Sequence, residues 1–205
     1  MSETRPHHLR LAGQPEPVQR AALEAMIRAE PVLMAVLDAI RAEGLPEGLL
    51  VSGALYNHAW NVLTGRPALH GVKDIDIAYF DRSDLSYEAE DRVIQAFGRR
   101  LAGLNVPVEV RNQARVHLWF PERFGQAYAP LGSAAEALTR YASKTHAVAA
   151  RLEADGSMTI IAPFGLESIF AFRVVPNRVL DNEPAHAAKG ARARAAWPEV
   201  TVEPW

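Results

Sequence analysis

The sequence of 205 residues predicts one α/β domain, in which helices and short strands surround a single core. Hydrophobic residues make up 49% of the chain and charged residues 22%, proportions that are typical of globular proteins rather than disordered or fibrous ones. Apolar residues recur every three or four positions over several long segments, as amphipathic helices require. Between these segments lie short apolar or alternating runs, which indicate strands.

The composition also limits the compartment and the chemistry. No apolar run approaches the roughly 18 residues that span a bilayer, and no apolar signal core opens the chain, so we expect a cytoplasmic protein without a membrane partner. The absence of cysteine agrees with the cytoplasm and leaves only oxygen or imidazole ligands for a metal ion. A net charge of −2 argues against a duplex DNA partner but is compatible with a small anionic substrate that carries its own metal.

The first half of the chain alternates helical and strand patterns. Residues 1–16 are polar and lack an apolar period, so we predict a flexible N-terminal arm before a domain over residues 17–205. Pro31 divides the helical period of residues 17–43 into two helices, because proline suits a first helical turn. The patterns then predict a strand at 49–51, a helix at 54–63, an alternating strand at 73–81 and a helix at 86–104.

The second half continues with three strands, a loop and a C-terminal helical segment. Strands are predicted at 107–112, 145–152 and 158–162, the last two joined by an Asp155-Gly156 turn. A loop is predicted through Trp119, Phe120 and Pro121 to Gly125, before a short helix at 133–142. The helical segment begins near residue 165, is interrupted at Pro176 and ends with a helix at 183–196.

Two aspartates lie two positions apart on the predicted strand at 73–81 (KDIDIAYFD). Side chains with this spacing share a face, so Asp74 and Asp76 project together while Ile75 and Ile77 point into the core. Like charges held this close cost stability unless a cation lies between them, and Mg²⁺ favours carboxylate oxygens. Asp-x-Asp is also a common surface tripeptide, but the apolar flanks favour a divalent cation site over a solvated loop.

The dipeptide Ser52-Gly53 stands at a predicted strand-to-helix junction. Unpaired amides and the positive end of the helix dipole favour an anion there, and glycine allows the backbone to approach a phosphate closely. The plainer interpretation is that Ser52 caps the helix and Gly53 makes the turn.

Glu109, in the segment PVEVRNQ, is the candidate for a third carboxylate ligand. Its neighbours Val108 and Val110 point the other way, so Glu109 reaches the face of the two aspartates if the two strands pair. The alternative is an exposed glutamate bridged to Arg111.

In this order, the elements and motifs resemble the catalytic core of the DNA polymerase beta nucleotidyltransferase superfamily, and more closely a bacterial nucleotidyltransferase-like family within it. The resemblance lies in residues 51–57 (VSGALYN), 74–81 (DIDIAYFD), 110–117 (VRNQARVH), 162–166 (APFGL) and 173–177 (RVVPN). One departure concerns the phosphate turn: the superfamily has a glycine followed by glycine or serine, whereas here Ser52 precedes Gly53 and Ala54 follows it.

The resemblance implies an α+β fold in which helices flank a mixed, strongly twisted sheet. It also implies two Mg²⁺ or Mn²⁺ ions and transfer of a nucleoside monophosphate from a nucleoside triphosphate to an acceptor hydroxyl. On this chain Asp74 and Asp76 would bridge the ions, and Glu109 would hold the ion that activates the acceptor. The ions would orient and neutralise the attacking and leaving oxygens.

A set of nucleotide-binding residues follows from the same arrangement. It comprises Ser52, Gly53, Asn57, Arg111, Asn112 and Lys144. Arginine suits bidentate phosphate contact, although residues in these positions are more often part of a solvated edge. The same alternatives apply to Arg115 and His117, and to Thr145 and His146 beside Lys144.

Other polar residues have plainer interpretations. His186, Lys189 and Arg192 recur every three residues on the last predicted helix, and a solvated face is favoured there over a surface that attracts an acceptor. His58, with Trp60 on the same helix, serves packing or a pocket wall.

The leading hypothesis is therefore a metal-dependent nucleotidyltransferase whose acceptor is a small molecule, a protein or an RNA end. A catalytically silent nucleotide-binding or regulatory module of the same fold is the alternative, motivated by the irregular turn at Ser52-Gly53. A structural, antitoxin-like partner is a third hypothesis.

Overall fold

Among residues 6–205, which the computed structural model describes, eight α-helices and seven strands alternate along the chain. The helices are Glu16–Arg28 (α1), Pro31–Ala42 (α2), Gly53–Thr64 (α3), Tyr87–Arg100 (α4), Val116–Phe124 (α5), Ala134–Ala137 (α6), Glu167–Phe170 (α7) and Glu183–Ala196 (α8). The strands are Leu49–Val51 (β1), Ile75–Tyr79 (β2), Val108–Asn112 (β3), Ala149–Leu152 (β4), Met158–Ile161 (β5), Arg173–Val174 (β6) and Thr201–Val202 (β7). None of these helices combines the length and the apolar composition needed to cross a bilayer.

The first five strands form one mixed sheet with the order β3-β2-β1-β4-β5. β2 and β3 pair in parallel through the crossover helix α4, and the other neighbours pair antiparallel. The predicted α+β class with a mixed sheet and flanking helices is thereby confirmed. The short strands β6 and β7 form a separate parallel pair that the sequence patterns did not predict.

One hydrophobic core joins α1, α2 and α3 to the inner face of the sheet and to the C-terminal segment. Trp60 of α3 lies at its centre, fully buried, and its indole N–H donates to the carbonyl of Ile169 at 2.8 Å. The indole N–H of Trp197, just after α8, donates to the side-chain oxygen of Asn61 at 2.9 Å. These two hydrogen bonds fasten the C-terminal segment to α3, and this attachment positions α8 beside the sheet.

The N-terminal arm requires a correction. Residues 1–5 lie outside the described part of the chain, but the following residues are attached to the core and not loose. Leu9 and Leu11 pack against the core, and the amide of Gly13 donates to the carboxylate of Glu167 at 2.8 Å. The sequence lacks a period here because the segment forms only a short 3₁₀ helix, His7–Leu9, and its contacts with the core come from two partly buried leucines.

Residues predicted as a loop around Trp119 form helix α5 instead. Pro121, which the sequence analysis placed in that loop, lies inside this helix and cannot donate one of its hydrogen bonds. The helix ends at Gly125, which adopts a left-handed conformation with φ of 67°. A nine-residue helix with one missing hydrogen bond is therefore tolerated, and it brings several aromatic side chains onto one element.

A buried ion pair ties α4 to the end of β3. The carboxylate of Glu90, which is 5% exposed, accepts hydrogen bonds from the guanidinium of Arg115 and from the backbone amide of Asn112. The Arg115 guanidinium also donates to the carbonyl of Leu85 at 2.9 Å. The Glu90 carboxylate, the Arg115 guanidinium and the Asn112 amide therefore keep their hydrogen-bond partners only while this network is intact.

Removing one partner of this network is expected to destabilise the fold strongly. Glu90→Ala leaves the Arg115 guanidinium buried without its counter-charge, so we expect the free energy of unfolding to fall by about 3–5 kcal/mol. Urea unfolding followed by circular dichroism measures this. The control is Arg92→Ala on the same helix, which breaks an exposed ion pair with Asp84 and should cost less than about 1 kcal/mol. Equal effects of the two changes would contradict a structural role for the network.

Candidate metal and nucleotide site

The parallel pairing of β2 and β3 brings the predicted acidic residues to one face of the sheet. Asp76 lies directly opposite Glu109 in the register, and Asp74 precedes β2 by one residue. Ile75 and Ile77 alternate with the aspartates and are buried in the core on the other face. All three carboxylates line a cavity of about 510 Å³, which we call the polar cavity.

The three carboxylates share the polar cavity without being drawn together into a finished ligand set. Within residues 6–205, no three Asp, Glu or His side chains are arranged to hold a metal ion as they stand. Instead, Asp74 lies 3.4 Å from the ammonium of Lys73, and Glu109 lies 3.8 Å from the guanidinium of Arg111. Both interpretations of Glu109 therefore apply, because it faces the aspartates and also pairs with Arg111. Such exposed pairs are weak and are readily exchanged for a stronger cation.

The electrostatics of Asp76 indicate a shortage of positive charge at the centre of the polar cavity. Burial raises the pKa of its carboxyl to about 6, and the neighbouring charge of Asp74 adds to the increase. Lys189 and Arg111 oppose this effect without cancelling it. A divalent cation would favour the ionised carboxylate, and an all-oxygen donor set suits Mg²⁺ or Mn²⁺. The residues present therefore fit the ions that the sequence predicts.

The Ser52-Gly53 turn joins β1 to α3 at the wall of the polar cavity. Ser52 adopts a φ of 58°, which is strained for a residue with a side chain, and its hydroxyl does not cap α3. The interpretation of Ser52 as a simple helix cap is therefore wrong. A Cβ atom on Gly53 would lie 3.7 Å from the side-chain nitrogen, Nδ2, of Asn57, which is an ordinary contact distance. Packing alone does not require glycine at this position, whereas close approach of a ligand to the first amides of α3 would.

Helix α8 supplies positive charge from the opposite wall. Lys189 and Arg192 both line the polar cavity, and burial lowers the pKa of the Lys189 ammonium while Asp76 acts to raise it. The prediction of a solvated face therefore holds for Arg192, which is exposed, but not for Lys189, which is partly buried. The third member, His186, is buried, with its ring nitrogens 2.7 Å from the hydroxyl of Ser143 and 2.8 Å from the carbonyl of Glu203.

Two residues of the predicted nucleotide-binding set lie elsewhere. Asn112 does not line the polar cavity, and its side chain bonds to the backbone of Asp81 and Ala114, so it orders the end of β3. Lys144 is exposed, with its ammonium 5.7 Å from the ring centroid of Phe164, and it does not line the polar cavity either. Both predictions rested on position next to a strand, which does not determine where a side chain points.

A second cavity of about 530 Å³ adjoins the first and was not predicted. Its walls include the aromatic side chains of Trp119, Phe120, Phe124 and Tyr128, so we call it the aromatic cavity. Arg111 and His146, which the sequence proposed for contacts with a nucleotide, also line it. The available signal was the density of aromatic residues between positions 119 and 128, which the predicted loop concealed.

Comparisons with known proteins agree with this geometry. A family model described as Nucleotidyltransferase matches residues 38–202. A solved structure whose title reports a CCA-adding enzyme head domain aligns with a TM-score of 0.75 and 25% identity, covering 91% of this chain and 96% of that chain. A search among curated proteins returned no match.

The fold, with acidic strands beside a strand-to-helix turn, defines the nucleotidyltransferase class of protein. Because the family model covers most of the chain, the protein belongs to that Nucleotidyltransferase family, and the resemblance inferred from its motifs is confirmed. Membership implies a nucleotide as substrate.

The raised pKa of Asp76 predicts a particular dependence of stability on pH when divalent ions are absent. The folded protein holds this proton more tightly than the unfolded chain, so the contribution of Asp76 is most favourable near pH 4 and is lost as the pH rises through about 6. Asp76→Asn removes that loss, and we expect the variant to be more stable than the parent by about 2–3 kcal/mol at pH 8. The difference should disappear towards pH 4 in urea unfolding with a chelator present.

The control for this pH dependence is Asp81→Asn, which should show the opposite sign. Hydrogen bonds from Ser83 lower the pKa of the Asp81 carboxyl, so its contribution to stability is present at neutral pH and is lost in acid. If Asp76→Asn changes stability by the same amount at every pH, folding does not raise the pKa of Asp76.

Proposed function

We propose that the protein is a metal-dependent nucleotidyltransferase that transfers a nucleoside monophosphate from a nucleoside triphosphate to an acceptor hydroxyl. The observation that carries this proposal is the convergence on one cavity of three carboxylates from two parallel strands, beside the first turn of α3. In the reaction, the acceptor oxygen forms a bond to the α-phosphorus while the bond to the bridging oxygen of the β-phosphate breaks. Pyrophosphate leaves, and the proton of the acceptor hydroxyl passes to water.

The acidic residues would hold the catalytic ions. Asp74 and Asp76 would share both ions, and Glu109 would hold the ion nearer the acceptor. Two bound Mg²⁺ or Mn²⁺ ions would supply the positive charge that attacking and leaving oxygens need. Partial burial supports this role for Asp76, since a carboxylate of limited exposure gains most from a cation.

The triphosphate would lie between the turn and α8. Of the first four amides of α3, those of Leu55 and Tyr56 donate to the carbonyl of Ser52, which leaves those of Gly53 and Ala54 for a ligand. The helix dipole adds positive potential at Gly53. Lys189 and Arg192 face the same space and would neutralise the leaving pyrophosphate. The side chain of Glu109 is about half exposed, so an acceptor can approach from its open side.

The acceptor and the setting follow from weaker arguments. The net charge of −2 makes duplex DNA a poor acceptor, which leaves a small molecule, a protein or an RNA end. We place the reaction in the cytoplasm, since the chain has no cysteine.

A catalytically silent nucleotide-binding module is a second candidate. It is favoured by the absence of a preformed ligand set for metal among residues 6–205 and by the Ser52-Gly53-Ala54 turn. Such a module would bind the triphosphate without releasing pyrophosphate.

Removing the paired aspartates tests the metal site. The double variant Asp74→Asn and Asp76→Asn should lose binding of Mn²⁺ with a nucleoside triphosphate in isothermal titration calorimetry, because neutral amides replace both bridging ligands. The control is Asp81→Asn. Asp81 lies just beyond the same strand and lines neither cavity, so this variant should bind as the parent does. Unchanged binding in the double variant would refute the proposal.

Turnover separates the two candidates. A labelled triphosphate incubated with the parent protein and a bacterial extract should yield a labelled product that the double variant does not form. Binding without any transferred label would instead support the silent module.

Gly53→Ala tests the contact between the turn and the triphosphate. Because a Cβ atom fits sterically, the free energy of unfolding should be unchanged or slightly higher, as expected when alanine replaces glycine in a helix. The methyl group would occupy the space of a bound phosphate, so triphosphate affinity should fall at least about tenfold. Gly98→Ala, in open space within α4, is the control and should leave affinity unchanged. Full affinity in Gly53→Ala would show that the phosphates do not approach this turn.

A further inference from the structure

We propose that the aromatic cavity binds the nucleobase of the triphosphate, stacked against the rings of helix α5. This inference rests on the proposed function, which places the phosphates in the polar cavity. It assigns a role to the second cavity and to an element that the metal chemistry does not use.

The junction between the two cavities supports this assignment. Ser52, Asp76 and Lys189 line both cavities, so the cavities meet beside the central carboxylate. In a nucleoside triphosphate, the α-phosphate joins the charged chain to the sugar and base, and it is also the group that reacts. If this phosphate lies beside Asp76 and the other two lie toward Arg192, the nucleoside extends into the aromatic cavity.

The wall of the aromatic cavity has the chemistry that a base requires. Phe120 is 4.7 Å from Phe124 and 4.5 Å from Tyr128 between ring centroids, and Trp119 contacts both phenylalanines. The rings of Trp119, Phe120 and Phe124 belong neither to the core around Trp60 nor to a second, smaller hydrophobic cluster that includes Val51, Ala78 and Leu138, and Phe124 is 52% exposed. The three rings contact one another and Tyr128 instead of entering a core, and a flat base gains stability by stacking on such rings.

A buried histidine adds polar character to the same cavity. His146 lines the aromatic cavity, is 1% exposed and stacks on Tyr56, yet within residues 6–205 neither of its ring nitrogens has a hydrogen-bond partner. Burial lowers the pKa of this imidazole well below its usual value, so the ring is neutral, with one donor and one acceptor. An unsatisfied buried group is costly, and the edge of a base can supply a partner for one of these nitrogens.

The test compares ligands that differ only in the nucleoside. Isothermal titration calorimetry at saturating Mn²⁺ would measure the binding of ATP, CTP, GTP and UTP, and of tripolyphosphate, which has no base. At least one nucleoside triphosphate should bind the parent protein about tenfold or more tightly than tripolyphosphate. Phe120→Ala should weaken that nucleotide by about tenfold and leave tripolyphosphate unchanged, because only stacking is lost.

Two further variants make this test independent of folding. Phe124→Ala removes a half-exposed ring of the same wall and should weaken nucleotide binding in the same selective way. Leu118→Ala is the matched control, since Leu118 is 52% exposed on α5 and lines neither cavity, and it should bind both ligands as the parent does.

The possible failures are distinguishable. Equal affinities for tripolyphosphate and all four nucleotides in the parent protein would overturn the base site alone, as would full nucleotide affinity in both phenylalanine variants. In the latter case the cavity would be left for the acceptor. Failure of the parent to bind tripolyphosphate and every nucleotide would overturn the proposed function and the base site with it.

Discussion

The parallel register between β2 and β3 is the constraint on which the site depends. It places Asp76 beside Glu109 on one face, while Ile77 and Val110 enter the core on the other. Because side chains alternate along a strand, a slip of one residue would bury the acid and expose the valine. The apolar residues that stabilise the core thus also hold the carboxylates together, at an electrostatic cost that raises the pKa of Asp76.

That cost is only partly offset within the protein, by Arg111 of β3 and by Lys189 from the far end of the chain. Lys189 and Arg192 line the polar cavity because α8 is held against α3 by the hydrogen bond from Trp197 and against β7 by close packing at Gly190. A Cβ atom on Gly190 would lie 2.6 Å from Val202, so the absence of a side chain allows α8 to approach. The C-terminal segment is consequently part of the site.

Local patterns were sufficient for the elements that hold the polar cavity. Alternation in DIDIAYFD and PVEVRNQ predicted both which residues enter the core and that Glu109 would face the aspartates if the strands paired. Patterns failed where a contact distant in sequence decides the outcome. The backbone at Lys144 is held by its neighbour Thr145, whose hydroxyl donates to the carbonyl of Arg173, 28 residues away. The side chain of Asn112 is oriented by its hydrogen bond to the carbonyl of Asp81. Helix α5 was also missed, because residues 116–124, with Pro121 among them, show no clear helical period in the sequence.

The two cavities differ in how much of each can be recognised in the sequence. The carboxylates and the glycine turn of the polar cavity lie in short motifs that are recognisable in the sequence, whereas its basic residues come from α8. The aromatic cavity gathers side chains from β1, β2, β3, α5, α8 and the segments between them, and no single motif contains enough of it to be recognised. On the proposed function, a change in the aromatic wall would alter which nucleotide reaches the carboxylates, because the two cavities meet at Asp76. Selectivity would then be a property of tertiary packing, whereas the carboxylates proposed for catalysis lie in local motifs.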